Sequence, residues 1–238
     1  MKYFTILSAI LVLLLAACNK EHIPPPDGNE YKPDVSPENF TNSTHITNPW
    51  TPYELQKKYI YEGKSVDGQE KVEEQRLNST KKIMGITCIE VNFKEYDDGK
   101  LVEETIDRYA QDNNGTFWYF GESVNNYNPD GTLKDHEGSW EAGVDGAQPG
   151  IIMLANPIAG ITYREEYYLN QAEDKAEILE TGITVTTLLG TFNNCIKTKN
   201  YTRLEPDVIE YKYYAPGYGV IKEVNQADKE EIFLTAIQ

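Results

Sequence analysis

The chain has 238 residues, with 22 Lys and Arg against 38 Asp and Glu, a formal charge of −16. That negative surplus argues against a nucleic-acid partner, which phosphate repulsion would disfavour. The single long apolar run is N-terminal, which excludes a bundle of membrane-spanning helices, and 17 tyrosines favour strands over helices.

Residues 1–17 read as a signal peptide. Lys2 supplies the positive start, and Phe4 to Leu15 form an apolar core too short to span a bilayer comfortably. The core ends in Leu15-Ala16-Ala17-Cys18. Small residues suit a narrow peptidase cleft, and the Cys18 thiolate is the nucleophile that accepts a diacylglyceryl group. These four residues resemble the lipobox of bacterial lipoproteins. The resemblance implies cleavage before Cys18, at least two acyl chains including palmitate, and stable attachment to the membrane through lipid alone. Asn19, where that family uses Asp to retain proteins at the inner membrane, implies the outer membrane of the cell envelope; either face of it fits.

Residues 18–48 read as the lipidated Cys followed by a tether. Pro24-Pro25-Pro26 favours polyproline II, and a polar Asn/Ser/Thr stretch runs from Asn39 to Asn48; it reads as a spacer, the alternative being that its Phe40–Thr47 part packs on the domain. The single globular domain is expected over 49–238.

Alternation with period two dominates that domain. Ile89, Val91 and Phe93 share one face against Glu90 and Asn92. Ile161, Tyr163 and Tyr167 alternate with polar residues, as do Ile183, Val185 and Leu189, and Ile209, Tyr211 and Tyr213. Asp67-Gly68, Asp98-Gly99, Asn114-Gly115, Asp130-Gly131 and Asp145-Gly146 are turn dipeptides that accept positive φ. The best helical stretch, Leu169–Lys175, is short. The pattern predicts an all-β antiparallel meander of roughly ten or more strands with little helix, curved into an open sheet or half-barrel.

Four segments carry a second resemblance. They are Gly85-Ile86-Thr87-Cys88, the run from Asp112 to Glu122 holding Trp118-Tyr119-Phe120-Gly121, the run from Trp140 to Met153, and Tyr213-Tyr214-Ala215-Pro216-Gly217-Tyr218-Gly219. Together they resemble an uncharacterised family of bacterial lipoproteins, over about Pro49 to Val224. The last segment also resembles a turn of LolA-like open half-barrels, sheets that in some members hold acyl chains. Tyr218 stands where that turn has a small aliphatic residue.

No residue pattern spells out a reaction. His22, His45 and His136 lack metal-ligand spacing, and no nucleophile elbow, P-loop or dinucleotide glycine pattern occurs. No metal or cofactor is expected. Cys88 and Cys195 can form a disulfide in an oxidising compartment, or stay as small buried hydrophobes. The aromatics Trp118, Tyr119, Trp140, Tyr163, Tyr167, Tyr213 and Tyr214 can stack on a ligand or fill a core. The reading is therefore a non-enzymatic envelope lipoprotein that binds a lipid, glycan or envelope protein, or acts structurally. The alternative is a carbohydrate-active or hydrolytic surface enzyme using acids near His136 or the Gly143–Gly150 loop, such as Glu137 and Glu141.

Overall fold

The computed structural model describes residues 31–66, 68–227 and 229–238. Cys18 and the triple proline lie outside them. Apart from a 3₁₀ turn at Pro37–Asn39, the named elements are strands. Five long ones open the domain: β1 (Lys58–Lys64), β2 (Gln69–Ile83), β3 (Ile86–Asp97), β4 (Lys100–Gln111) and β5 (Phe117–Tyr127). Short pieces follow: β6 (Leu133–Asp135), β7 (Trp140–Glu141), β8 (Gln148–Met153), β9 (Thr162–Arg164) and β10 (Glu166–Tyr167). The chain ends in β11 (Lys175–Thr187), β12 (Gly190–Tyr201), β13 (Ile209–Ala215), β14 (Gly219–Asn225) and β15 (Glu230–Ile237).

All pairings are antiparallel, and the strands lie in the order β10-β8-β5-β4-β3-β2-β1-β15-β14-β13-β12-β11-β9, with β6 and β7 on β5. Tight hairpins explain the meander. Asp98 and Gly99 join β3 to β4 with φ of 46° and 76°, the two positive values that a type I′ turn requires. The sheet is all-β as the alternation predicts, and it curls further than a half-barrel. Its two ends, β9 and β10, belong to one stretch of chain, Thr162–Tyr167. Lys175 and Ala176 of β11 pair with Arg164 and Tyr163, while Glu166 and Tyr167 pair with Pro149 and Gln148 of β8. The result is a nearly closed barrel with one seam at Glu165.

Two sequence expectations change here. Ile161–Tyr167 is not one strand, because its two halves serve opposite edges of the sheet. Leu169–Lys175 is not helical: Asn170 takes φ of 60° and donates its backbone N–H to Glu173 Oε1 at 2.7 Å.

The tether also ends earlier than residue 48. Phe40 is buried and meets Phe120 and Trp118 edge-on, with centroids 5.7 and 6.2 Å apart. Ser43 Oγ donates to the Thr87 carbonyl at 2.6 Å. The side-chain carbonyl of Gln111 accepts the N–H groups of Thr47 and Asn48, each at 2.8 Å. Farther along, Gly217 N–H donates to the Pro49 carbonyl at 2.7 Å. Residues 37–53 thus run across one mouth of the barrel, from β4 and β5 to the β13–β14 turn. Polar composition suggested a spacer, but the polar atoms there pair with barrel backbone and Gln111.

Close approach at the seam demands glycine. A Cβ on Gly150 would sit 2.0 Å from the Glu165 carbonyl oxygen and 2.6 Å from the Glu166 nitrogen, both backbone atoms. Gly150→Ala is expected to lower stability by about 3 kcal/mol, since an overpacked backbone contact has no rotamer to relax into. A urea midpoint equal to wild type would show that the seam is looser than this. Phe40→Ala should lose about 3 kcal/mol in the same measurement; an unchanged midpoint would mean that residues 37–53 do not stay docked.

Candidate functional site

Because cross-strand partners share a face, the registers define what fills the barrel. Ile89, Tyr109 and Tyr119 form one inward row, and Glu95, Glu103 and Asn126 another. The barrel therefore has an aromatic end and an acidic end.

At the aromatic end, four rings stack. Tyr53, delivered by the docked N-terminal segment, lies 5.6 Å from Tyr109 and 5.2 Å from Phe117. Tyr109 lies 4.9 Å from Tyr119, and Trp140 meets Tyr119 edge-on at 5.2 Å. The void beside them, bordered by Trp50, Tyr59, Tyr61, Glu74 and Tyr214, amounts to about 20 Å³. That is room for one water.

At the acidic end, carboxyls outnumber cations. Glu95 and Glu103 stand directly opposite one another on β3 and β4. Burial, and then their mutual repulsion for Glu95 and Asp107 for Glu103, push both carboxyls well above the usual range. Lys212 faces Glu223 across the β13–β14 ladder. Burial alone would lower this lysine, but Glu223, Glu210, Glu165 and Asp174 outweigh it and hold the ammonium charged. Asn200 Nδ2 donates to Glu165 Oε2 at 2.7 Å, tying this cluster to the seam. Two carboxyls lie nearer the aromatic end. Burial pushes Glu74 up to about 8, against hydrogen bonds from Tyr61 and Tyr53. Burial likewise pushes Asp107 up to about 6, opposed by the Tyr109 hydroxyl, which donates to Asp107 Oδ2 at 2.6 Å.

The aromatics singled out in the sequence divide between the two faces. Tyr119, Trp140, Tyr163 and Tyr214 belong to the interior core, and the Tyr163 hydroxyl donates to the Ile152 carbonyl at 3.1 Å. Trp118 faces outward, where its indole N–H donates to Asp112 Oδ2 at 3.1 Å. Tyr167 lies at the seam with the Arg164 guanidinium 4.7 Å from its ring centroid. Tyr213 lies outside, with the ammonium groups of Lys197 and Lys222 5.5 and 5.7 Å from its ring. No single surface unites the seven.

Cys88 and Cys195 are both buried and free, so no bridge forms. Cys88 is on β3 and Cys195 on β12, with β2, β1, β15, β14 and β13 between them in the sheet. Burial raises both thiols, Cys88 to about 12. His136 directs Nδ1 at the Val124 carbonyl, 2.8 Å away, and Glu141 is paired with Lys81. Among the described residues, no group of three or more His, Cys, Asp or Glu side chains is arranged to hold a metal.

Sequence reading missed a groove on the outer surface beside the seam. Arg164, Lys175, Lys199 and Arg203 line it, over a floor that includes Tyr201 and Ile209. The alternation Lys197-x-Lys199-x-Tyr201 was the available signal, since those side chains must share a face.

No family model matches the chain, and no curated protein matches it. Two solved structures are similar to it. One is a Bacteroides fragilis chain provisionally named an exported protein with a YmcC-like fold, at 15% identity and TM-score 0.44, covering 79% of this chain and 98% of that one. The other is a Parabacteroides distasonis chain provisionally named a lipoprotein, at 14% identity and TM-score 0.44, covering 82% of this chain and 100% of that one.

The raised carboxyls set the direction of a pH dependence. A glutamate in the unfolded chain titrates near about 4.3, whereas Glu74 in the fold titrates near 8. Between those values the folded chain keeps a proton that the unfolded chain releases. Its contribution is full below the unfolded value and is lost as pH rises through the folded one. Urea midpoints should therefore fall from about pH 5 to about pH 9. Glu74→Gln should flatten that slope by up to about 5 kcal/mol. A wild-type midpoint rising over the same range would contradict the buried, protonated carboxyl.

Proposed function

We propose that this chain is a lipid-anchored protein of the cell envelope, at the outer membrane, that acts by contact through its outer surface and not by catalysis. The Leu15-Ala16-Ala17-Cys18 sequence supports the anchor. The observation that carries the mode of action is the filling of the barrel. Stacked tyrosines and buried carboxyls occupy its inside, and the void beside the Tyr53–Tyr109–Phe117 stack holds about 20 Å³, far below the roughly 300 Å³ of a small-molecule site. A lipid or sugar has no room in that void without displacing the Tyr53–Tyr109–Phe117 stack, which supports the outside as the working surface. Glu74 and Asp107, two of the carboxyls with raised proton affinity, are likewise enclosed.

The anchor and the mode of action are tested separately. Cells fed labelled palmitate should label the wild-type chain and leave Cys18→Ser unlabelled; label on both, or on neither, overturns the anchor. Native mass spectrometry of the wild-type protein should show the acylated chain mass with no further small molecule. A bound lipid or saccharide lost on Tyr109→Ala substitution would place a ligand inside the barrel and overturn the outer-surface reading.

A further inference from the structure

Charged residues make up 25% of the chain, yet three segments of the domain, 146–163, 181–196 and 213–221, hold no Asp, Glu, Lys, Arg or His. The fold brings all three to the mouth that residues 37–53 cross. Leu154 leaves β8 there, its carbonyl accepting the side-chain N–H of Asn48 at 3.3 Å. The β13–β14 turn meets the same crossing segment where Gly217 donates to the Pro49 carbonyl. The β11–β12 hairpin overshoots the mouth. β12 pairs with β13 from Ile196 onward, with Ile196 opposite Tyr214, so residues 190–194 project past the end of β13.

The three are neighbours along the rim. Gly160 N–H donates to the Ile178 carbonyl at 2.7 Å, which lays the 154–161 loop along β11. Phe192 of β12 meets Tyr218 of the β13–β14 turn edge-on at 4.9 Å. The groove between that hairpin and that turn, about 500 Å³, has no charged residue in its lining. Their tips expose what a core would hide. Leu188 is 87% exposed and Ile158 is 62% exposed, and Ile161, Leu189 and Tyr218 are open as well. Apolar surface gathered in this way marks a contact with a protein or a membrane. Turns at the opposite mouth instead expose Asp98, Lys100, Asp130 and Asp207. On the near mouth, the β2–β5 side keeps Lys82 exposed and Asp112 half-buried, so the charge-free face belongs to the β8–β11–β14 side.

Charge and tether length select lipid as what covers this face. A chain of formal charge −16 is repelled by lipid phosphates wherever its acids lead. The charge-free side is where it can approach them without that cost. The Tyr31 ring packs edge-on against Tyr167 at 5.5 Å, with the Arg164 guanidinium 5.8 Å from its centroid. Arg164 pairs with Lys175, and from there β11 runs 12 residues to Thr187 at the hairpin, at most roughly 40 Å. Tyr31 is 13 residues from Cys18, a contour of at most about 45 Å. An extended tether therefore reaches the plane of the hairpin tip. Unpaired strand backbone is not tolerated in hydrocarbon, so only the tips enter, and Tyr218 sits at the level where tyrosine suits the membrane–water interface.

We propose that the 154–161 loop, the tip of the β11–β12 hairpin and the β13–β14 turn form a membrane-contacting face, dipping Ile158, Leu188 and Leu189 into the leaflet that holds the Cys18 anchor. This deepens the outer-surface reading above and rests on its lipid anchor. The contact is apolar, and anionic headgroups play no part in it.

The test uses the acylated full chain on phosphatidylcholine vesicles doped with a phosphatidylcholine that carries a diazirine in its acyl chain. After photolysis, lipid adducts are mapped by mass spectrometry. Adducts should be several-fold denser on peptides holding 154–161, 187–192 and 216–218 than on those holding 98–100 and 128–133. Replacing part of the lipid with phosphatidylglycerol should not raise the yield; a rise reversed by salt would make the contact electrostatic and overturn the apolar face. Leu188→Glu changes a side chain that packs on little, and it should strip adducts from the hairpin while the protein stays on the vesicles. Vesicle-bound wild type with adducts spread evenly, or gathered at the opposite mouth, overturns the face and leaves the anchor standing. A hairpin free of lipid adducts but cross-linked to a second copy overturns lipid as the occupant. An absent acyl mass on Cys18 overturns the lipoprotein reading, and this proposal with it.

Discussion

Closure of the sheet through the six residues Thr162–Tyr167 is the constraint on which the rest depends. Their first half completes the edge at β11 and their second half completes the edge at β8. One residue, Glu165, must bridge the change, donating its backbone N–H to the Asp174 carbonyl at 2.8 Å. Gly150 leaves the space in which that bridge fits. An open sheet would keep one face wet, and its inward carboxyls would ionise freely. Once closed, the same residues lose water, and protonation becomes the cheaper state for them. Barrel closure and raised carboxyl proton affinity are therefore one fact seen twice.

The interior also explains why the docked segment matters. A barrel mouth exposes the ends of its inward rows to solvent. Here residues 37–53 cover one mouth, and Tyr53 continues the ring stack from Tyr109 and Phe117. Glu74 sits under that lid, hydrogen-bonded by the Tyr61 hydroxyl at 3.2 Å. Undocking the segment would rewet Glu74 and lower its proton affinity. Phe40 and Glu74 act on the same packing from opposite ends.

Much of this was legible in the sequence, for identifiable reasons. Ile89-x-Val91-x-Phe93 reads as a strand because both its neighbours in the sheet are sequence neighbours joined by short turns. Asp98-Gly99 reads as a hairpin because the dipeptide itself favours positive φ. The hairpin at Met84-Gly85 has the same geometry, with φ of 48° and 83°, but methionine gives no such signal. Thr162–Tyr167 misled because alternation reports which face a residue occupies and is silent on which strand it pairs with. Glu95, Glu103 and Asp107 escaped notice because a carboxylate in an alternating run reads as facing water. Only closure, a long-range property, reverses that. The cationic groove was invisible for a similar reason: Arg164, Lys175, Lys199 and Arg203 are scattered over 40 positions and meet only through the ladders of β9, β11 and β12.

Taken together, inside and outside give the chain a different electrostatic character from its composition. The formal value of −16 counts every Asp and Glu as ionised. Glu74, with its proton affinity raised to about 8, holds its proton at neutral pH, and Glu95, Glu103 and Glu223 are pushed the same way. Each retained proton removes one negative charge from the sum. Net charge speaks for solubility and long-range repulsion. Short-range recognition follows the arrangement of the ladders.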